Sequence, residues 1–289
     1  MSAPPLGAAV FGFCFERKIT LLRVTTLASG SGGNCLLVSG GGSHLLIDAG
    51  ISCRRITTAL AALGLGLSQL DGILITHEHS DHICGLATLI KKHTTPIFAS
   101  PGTARALEYR LAFHAGQLRP VEIGVEFAVG TLTARAFATS HDSAQSTGYC
   151  VSTGDHRMAL ATDLGYVSDE VLNAVLGCDI LVAESNHDVD WLRSGPYPIY
   201  LQERILGDRG HLCNEAGAEL VTRAALSGTH TIILAHLSRE NNTPARALEV
   251  SRRSLQAAGI DPDRDVVLTV APVCSNSPTF FAERSEAPC

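Results

Sequence analysis

Apolar runs of four to eight residues, each closed by polar or glycine-rich positions, recur from residue 21 onward. They predict β-strands at 21–28, 35–39, 44–48, 72–76, 96–99, 132–139, 158–162, 179–183, 231–235 and 265–270. Between them, apolar positions spaced three and four apart predict helices at 53–63, 83–93, 168–176, 214–226 and 244–257. Thr243-Pro244 opens the last of these well, because proline is tolerated at the first helical position. The alternation makes this an α/β chain, and strand-like segments in succession over 119–139 add antiparallel pairs, so the sheets are mixed. One domain is expected over 21–274, with a poorly structured extension at 1–20 and a tail with two prolines at 275–289.

The ends of the strands carry the chemistry. Asp48 ends His44-Leu-Leu-Ile47, His77 follows Gly72-Ile-Leu-Ile-Thr76, and His141 follows the run 134–140. Asp163 follows Met158-Ala-Leu-Ala-Thr162, and His236 follows Thr231-Ile-Ile-Leu-Ala235. Loops at the carboxyl edge of an α/β sheet are where sites form, so five such deliveries make a constellation.

Composition narrows the class. The 289 residues carry 22 Lys+Arg against 28 Asp+Glu, a net charge of −6, so a nucleic-acid partner cannot be argued from overall charge. With 45% apolar and 17% charged residues the chain is globular rather than disordered. No apolar run reaches the roughly 18 residues that span a bilayer. Residues 6–16 are apolar, but the first positive side chain is Arg17, which argues against a secretory signal. The nine cysteines are odd in number, scattered and without a CxxC pair, so neither a disulfide scaffold nor a thiolate zinc site is expected. A cytoplasmic protein is the expectation, with no membrane and no obligatory protein partner.

Thr76-His77-Glu78-His79-Ser80-Asp81-His82 is the densest motif. In an extended segment His77 and His79 point to one side and can share an ion. Asp81 and His82 are adjacent and must diverge, which suits a second ion about 3.5–4 Å away. His141, Asp163 and His236 can complete the two sets, with Asp163 as the natural bridge. The motif is not a zincin helix, since HExxH would need histidine at Asp81. Imidazole and carboxylate donors without thiolate suit zinc, manganese, iron or cobalt.

HxHxDH, a preceding Asp, a later His, then Thr-Asp and a final His resemble the metallo-β-lactamase superfamily. The resemblance implies an αββα sandwich with two mixed sheets flanked by helices and a dinuclear site at one edge. It implies His77, His79 and His141 around one metal, Asp81, His82 and His236 around the other, Asp163 bridging, and Asp48 orienting a ligand histidine. The stretches SGSGGNC, THEHSDH, SHD, ATDLG, ESNHD, GHLCN and LAHLSRENN further resemble the YycJ/WalJ-like family of small hydrolases described as DNA exonucleases. Cys213 departs from the small polar residue expected there.

What this implies is metal-assisted phosphodiester hydrolysis on DNA. Two divalent ions, zinc, manganese or iron, bring a bridging water toward ionisation at neutral pH. Asp81 would hold the hydroxide's proton. His211 is the candidate for contacting phosphate or protonating the leaving oxygen. Asn186, His187 and Asn214 are weaker substrate contacts, and Asn214 reads equally as a helix N-cap. Arg54, Arg55, Lys91, Lys92, Arg105 and Arg110 could guide a nucleic-acid backbone, or be solvated helix positions. The loop 28–35 is not a Rossmann fingerprint, because no helix follows, and it is either a tight turn or a substrate-facing loop. A small cyclic phosphodiester or a thioester is the alternative substrate on the same site. A metal-bound regulatory protein without turnover is the alternative outside enzymes.

Overall fold

A computed structural model describes residues 21–282; the extension expected at 1–20 and residues 283–289 lie outside the described residues. The first half of the chain supplies β1 (Arg23–Ala28), β2 (Cys35–Gly40), β3 (Ser43–Ile47), β4 (Gly72–Ile75), β5 (Ile97–Ala99) and β6 (Leu118–Pro120). Its helices are α1 (Cys53–Ala61), α2 (Ser80–Ile83), α3 (Leu86–Lys92) and α4 (Pro101–Arg110). The second half supplies β7 (Glu126–Val129), β8 (Leu132–Ala138), β9 (Thr147–Thr153), β10 (His156–Ala161), β11 (Ile180–Glu184), β12 (Thr231–Ala235) and β13 (Val267–Val270). With these come α5 (Asp169–Val175), α6 (Val189–Ser194), α7 (Ile199–Leu206), α8 (Asn214–Leu226) and α9 (Pro244–Ala257).

Each half forms its own sheet. In the first, β1, β2 and β3 pair antiparallel and β3 to β6 run parallel; in the second, β7 to β10 pair antiparallel and β10 to β13 run parallel. The strands turn apolar side chains to both faces, which is why they read as continuous runs. Val24, Leu36, Leu45 and Leu74 face Tyr149, Met158, Leu160, Val182 and Ile233 across the seam between the sheets. On the outer face of the first sheet Leu46, Ile73 and Ile75 pack with Ile56, Leu60, Leu86 and Leu107 from its helices. On the second, Ala159, Leu181 and Ile232 pack with Val171, Val175, Leu220 and Ala247. The result is the expected αββα sandwich.

Local differences have local causes. The helix expected over 83–93 is two pieces that meet at Gly85, where the chain packs so closely on the loop after β3 that a Cβ would fall 2.2 Å from the Ile51 carbonyl oxygen. β9 escapes the periodicity because Gly148 and Cys150 interrupt an apolar strand buried on both faces. The short helices α4, α6 and α7 are hidden by Pro101-Gly102, Gly195-Pro196 and Pro198. From residue 275, where a tail is expected, Ser277 accepts a hydrogen bond from Thr26 N at 2.9 Å, and β14 (Phe280–Phe281) adds an edge strand beside β1. Among the described residues no helix is long and apolar enough to cross a membrane.

Candidate metal centre

The carboxyl ends of β3, β4, β8, β10, β11 and β12 meet at one edge of the sandwich. Asp48, Asp163 and His236 each follow a strand directly or within two residues, and each adopts a left-handed backbone, with φ of 62°, 61° and 57°. Among the described residues these are the only non-glycine residues with positive φ. Such conformations cost about 1–2 kcal/mol apiece for residues with a Cβ, so three at one edge mark a site where strain is tolerated for side-chain placement. The loops after β1 and β3 also clamp the histidine motif. Ala49 N donates to His82 O and Asn34 N to Asp81 O, both at 2.8 Å.

Two donor clusters result. His77 Nε2 faces His79 Nδ1 at 3.0 Å, and His79 Nδ1 faces His141 Nε2 at 3.3 Å. Next to them His236 Nε2 and His82 Nε2 lie 3.5 Å and 3.4 Å from Asp81 Oδ2. Asp163 stands between the groups. Its Oδ2 is 3.5 Å from His82 Nε2, and its Oδ1 is 3.5 Å from His236 Nε2 and 3.7 Å from His141 Nε2. The ligand atoms of His77, His79 and His141 fall within 4.8 Å of one another, as do those of Asp81, His82 and His236, and of His77, His82 and Asp163.

The far ring nitrogens are held from behind. His82 Nδ1 meets Asp48 Oδ2 at 2.7 Å, while Thr76 N donates to Asp48 Oδ1 at 2.9 Å. His141 Nδ1 donates to Gly210 O at 3.0 Å. Glu184, the last residue of β11, faces His236 Nδ1 at 3.1 Å and His211 Nδ1 at 2.8 Å with one oxygen. Its other oxygen accepts from Leu164 N and Leu212 N, at 2.9 and 3.0 Å. These contacts fix each tautomer with the other nitrogen left toward the cluster.

Burial lowers His77 well below the ordinary histidine range, with the neighbouring His82 charge acting the same way, and burial lowers His141 too. Burial opposes charge on His82 and His236, but Asp163 overrides it, aided by Asp48 at His82 and by Asp81 and Glu184 at His236. His82 rises well above its usual value and His236 to about 10. For Glu184 burial favours the acid form, yet the His211 charge and the two histidine hydrogen bonds bring it down to about 2. The arrangement fits divalent cations on its own chemistry: three imidazole nitrogens converge, and Asp163 Oδ2 is buried with no hydrogen-bond partner among the described residues.

A cavity of about 290 Å³ opens onto this cluster. His79, Asp81, His141, Asp163, His211 and His236 line one side, while Tyr197 and, from α7, Leu201 and Ile205 form an apolar wall. Of the three weaker sequence candidates the cavity includes Asn186 alone. His187 is buried outside it, and burial lowers that imidazole to about 4. Asn214 is also buried: Ser185 Oγ donates to its Oδ1 at 2.6 Å and Asn242 Nδ2 at 2.8 Å. It is not the N-cap either, since Cys213 holds that position. His187 and Asn214 are therefore buried side chains outside the lining of this cavity. Glu184 was not among the candidates, although it obeys the strand-end pattern that marks Asp48, Asp163 and His236.

A sandwich of two mixed sheets with an imidazole–carboxylate centre at its edge is the metallo-β-lactamase fold. The family model described as the beta-lactamase superfamily domain matches residues 43–237, and the chain belongs to that superfamily and, within it, to the family of the YycJ and WalJ proteins. Exodeoxyribonuclease YycJ of Bacillus anthracis is 39% identical over 222 residues, covering 76% of this chain and 84% of that relative. Exodeoxyribonuclease WalJ of Streptococcus pneumoniae is 41% identical over 223 residues, covering 76% and 83%. Among solved structures, the metallo-beta-lactamase fold protein YhfI of Bacillus subtilis superposes with a TM-score of 0.68 at 14% identity, over 91% of this chain and 99% of that one.

Proposed function

We propose that the chain is a metal-dependent phosphodiester hydrolase that removes nucleotides from DNA ends. The observation that carries this reading is a complete donor set, from His77 to His236, in a chain about two-fifths identical to two exodeoxyribonucleases. His77, His79 and His141 would hold one divalent ion, Asp81, His82 and His236 a second, and Asp163 would touch both. Zinc, manganese or iron suit these donors. When bound, such ions bring water toward ionisation at neutral pH and neutralise charge developing on phosphate oxygens.

The chain's own groups do the rest. Asp81 would accept a hydrogen bond from the attacking hydroxide and so keep its lone pair aimed at phosphorus. His211 has Nδ1 committed to Glu184, so Nε2 is free to donate a proton to the leaving oxygen. The wall of Tyr197, Leu201 and Ile205 receives the terminal nucleoside and keeps bulk water from the cluster.

Digestion of end-labelled double-stranded DNA, single-stranded DNA and RNA tests the reading. With manganese or zinc, the wild type should shorten labelled DNA stepwise while Asp81→Ala, purified alongside, does not. A fully metallated wild type that leaves every polymer intact would transfer the assignment to a small phosphodiester or a thioester.

Metal loading should also report on protonation. Metal-free His82 and His236 hold protons at pH 7, because their pKa values are raised, and a metal must displace those protons to bind. Affinity should therefore climb as pH rises from 6 to 8, by about tenfold per unit for each proton released. Calorimetric titration in buffers of different ionisation enthalpy measures the release directly. Heats that do not depend on the buffer would refute it.

A further inference from the structure

Ala28-Ser-Gly-Ser-Gly-Gly-Asn-Cys35 and Leu237-Ser-Arg-Glu240 meet at the rim of the cavity, where Ser31 and Ser238 both line its wall. Arg239 lies flat on the backbone of Gly32. A Cβ built on that glycine would land on Nη2 of Arg239 and come within 2.6 Å of Cζ and 3.3 Å of Nε. Gly32 is not one of the positive-φ glycines, so glycine is needed here for the guanidinium and not for the turn. The other arginines nearby are committed. Arg204 Nε donates to Asp142 Oδ2 at 2.6 Å, and Arg209 donates to the carbonyls of His141 and Ser143 at 3.1 and 3.4 Å. Arg239 is exposed and has no hydrogen bond or ion pair among the described residues.

An exposed guanidinium seated on Gly32, one residue along the chain from each of the cavity-lining Ser31 and Ser238, fits a phosphate at the edge of a cavity that Asp81, Asp142 and Asp163 also line. Guanidinium binds phosphate in a fork, and laying it on glycine removes much of the side-chain freedom that binding would otherwise cost. We infer that Arg239, seated on Gly32 with Ser31 and Ser238, anchors the DNA phosphate next to the one being cleaved. The inference rests on DNA being the substrate, and it makes the glycine-rich loop a substrate-facing element.

The test crosses protein variants with substrate length. Arg239→Gln should raise KM for a single-stranded oligonucleotide about tenfold, with kcat within a factor of two, and flatten the slope of log(kcat/KM) against log salt by about one unit. On the p-nitrophenyl ester of thymidine 5′-monophosphate, which has no second phosphate, the penalty should shrink below twofold. Gly32→Ala only has to push aside the tip of a flexible side chain, so it should fold and reproduce the KM defect. The double variant should be no worse than Arg239→Gln alone. An unchanged KM, an unchanged salt slope, or equal penalties on the two substrates would overturn the anchor. A wild type that cleaves the ester but no DNA would instead overturn the nuclease reading itself.

Discussion

Replacing Asp163 with asparagine should cut hydrolysis by about a thousandfold or more and strip the protein of metal. The carboxylate stands within 3.7 Å of three imidazoles, and its charge opposes the burial of His82 and His236. Asparagine keeps the volume and tolerates the left-handed backbone found here, so the fold survives while the bridging charge goes. Loss of metal-assisted stabilisation is worth about 4 kcal/mol or more, which is about three decades of rate. Alanine should do further harm, since a Cβ without a polar tip pays about 1–2 kcal/mol for that conformation. Elemental analysis and turnover of bis-p-nitrophenyl phosphate read the two effects. Retained metal with activity within tenfold of wild type would remove Asp163 from the centre.

The second large effect belongs to His211. His211→Ala should keep its metal yet lose between about a hundredfold and ten-thousandfold in kcat on DNA, the range expected of a positioned general acid. On bis-p-nitrophenyl phosphate, whose leaving group needs no proton, the loss should be under about tenfold. Equal losses on both substrates, or metal lost in step with activity, would deny His211 the role of acid. Glu184→Gln sets the limit of this experiment. One oxygen faces two histidines and the other accepts from two backbone amides, so an NH₂ group must oppose donors on one side or the other. That variant should lose stability as well, by about 3 kcal/mol, because a buried charged network loses a partner.

The chemistry of this chain was more legible than its outline. Asp48, His77, His141, Asp163 and His236 could be found because each interrupts an apolar run, and a polar residue at a buried strand end has few structural reasons to be there. Glu184 obeys the same rule, but what it does depends on His211 and His236, 27 and 52 residues away, so the sequence alone does not assign it a part. The α7 wall was opaque for the opposite reason. Tyr197, Leu201 and Ile205 have the spacing of an ordinary core face, yet α7 buries none of its residues and spends that face on the cavity. His187 and Asn214 are harder to weigh from sequence, because a polar side chain in a motif looks the same whether it meets substrate or holds up a loop. The glycines of 28–35 fit a tight turn or a substrate-facing loop equally well in sequence, because the approach of Arg239 to Gly32 spans about 200 residues that spacing cannot bridge.

The division of the donors between the sheets has a consequence for the life of the molecule. Everything contributed by the first sheet lies before residue 83, and everything contributed by the second lies after residue 140. On the proposed ligand set neither part would assemble a centre alone: one would have four donors without Asp163, the other Asp163 without the paired histidines. During synthesis the chain is inert until its second sheet is made and docked. A hydrolase built across its own joint cannot act while misassembled.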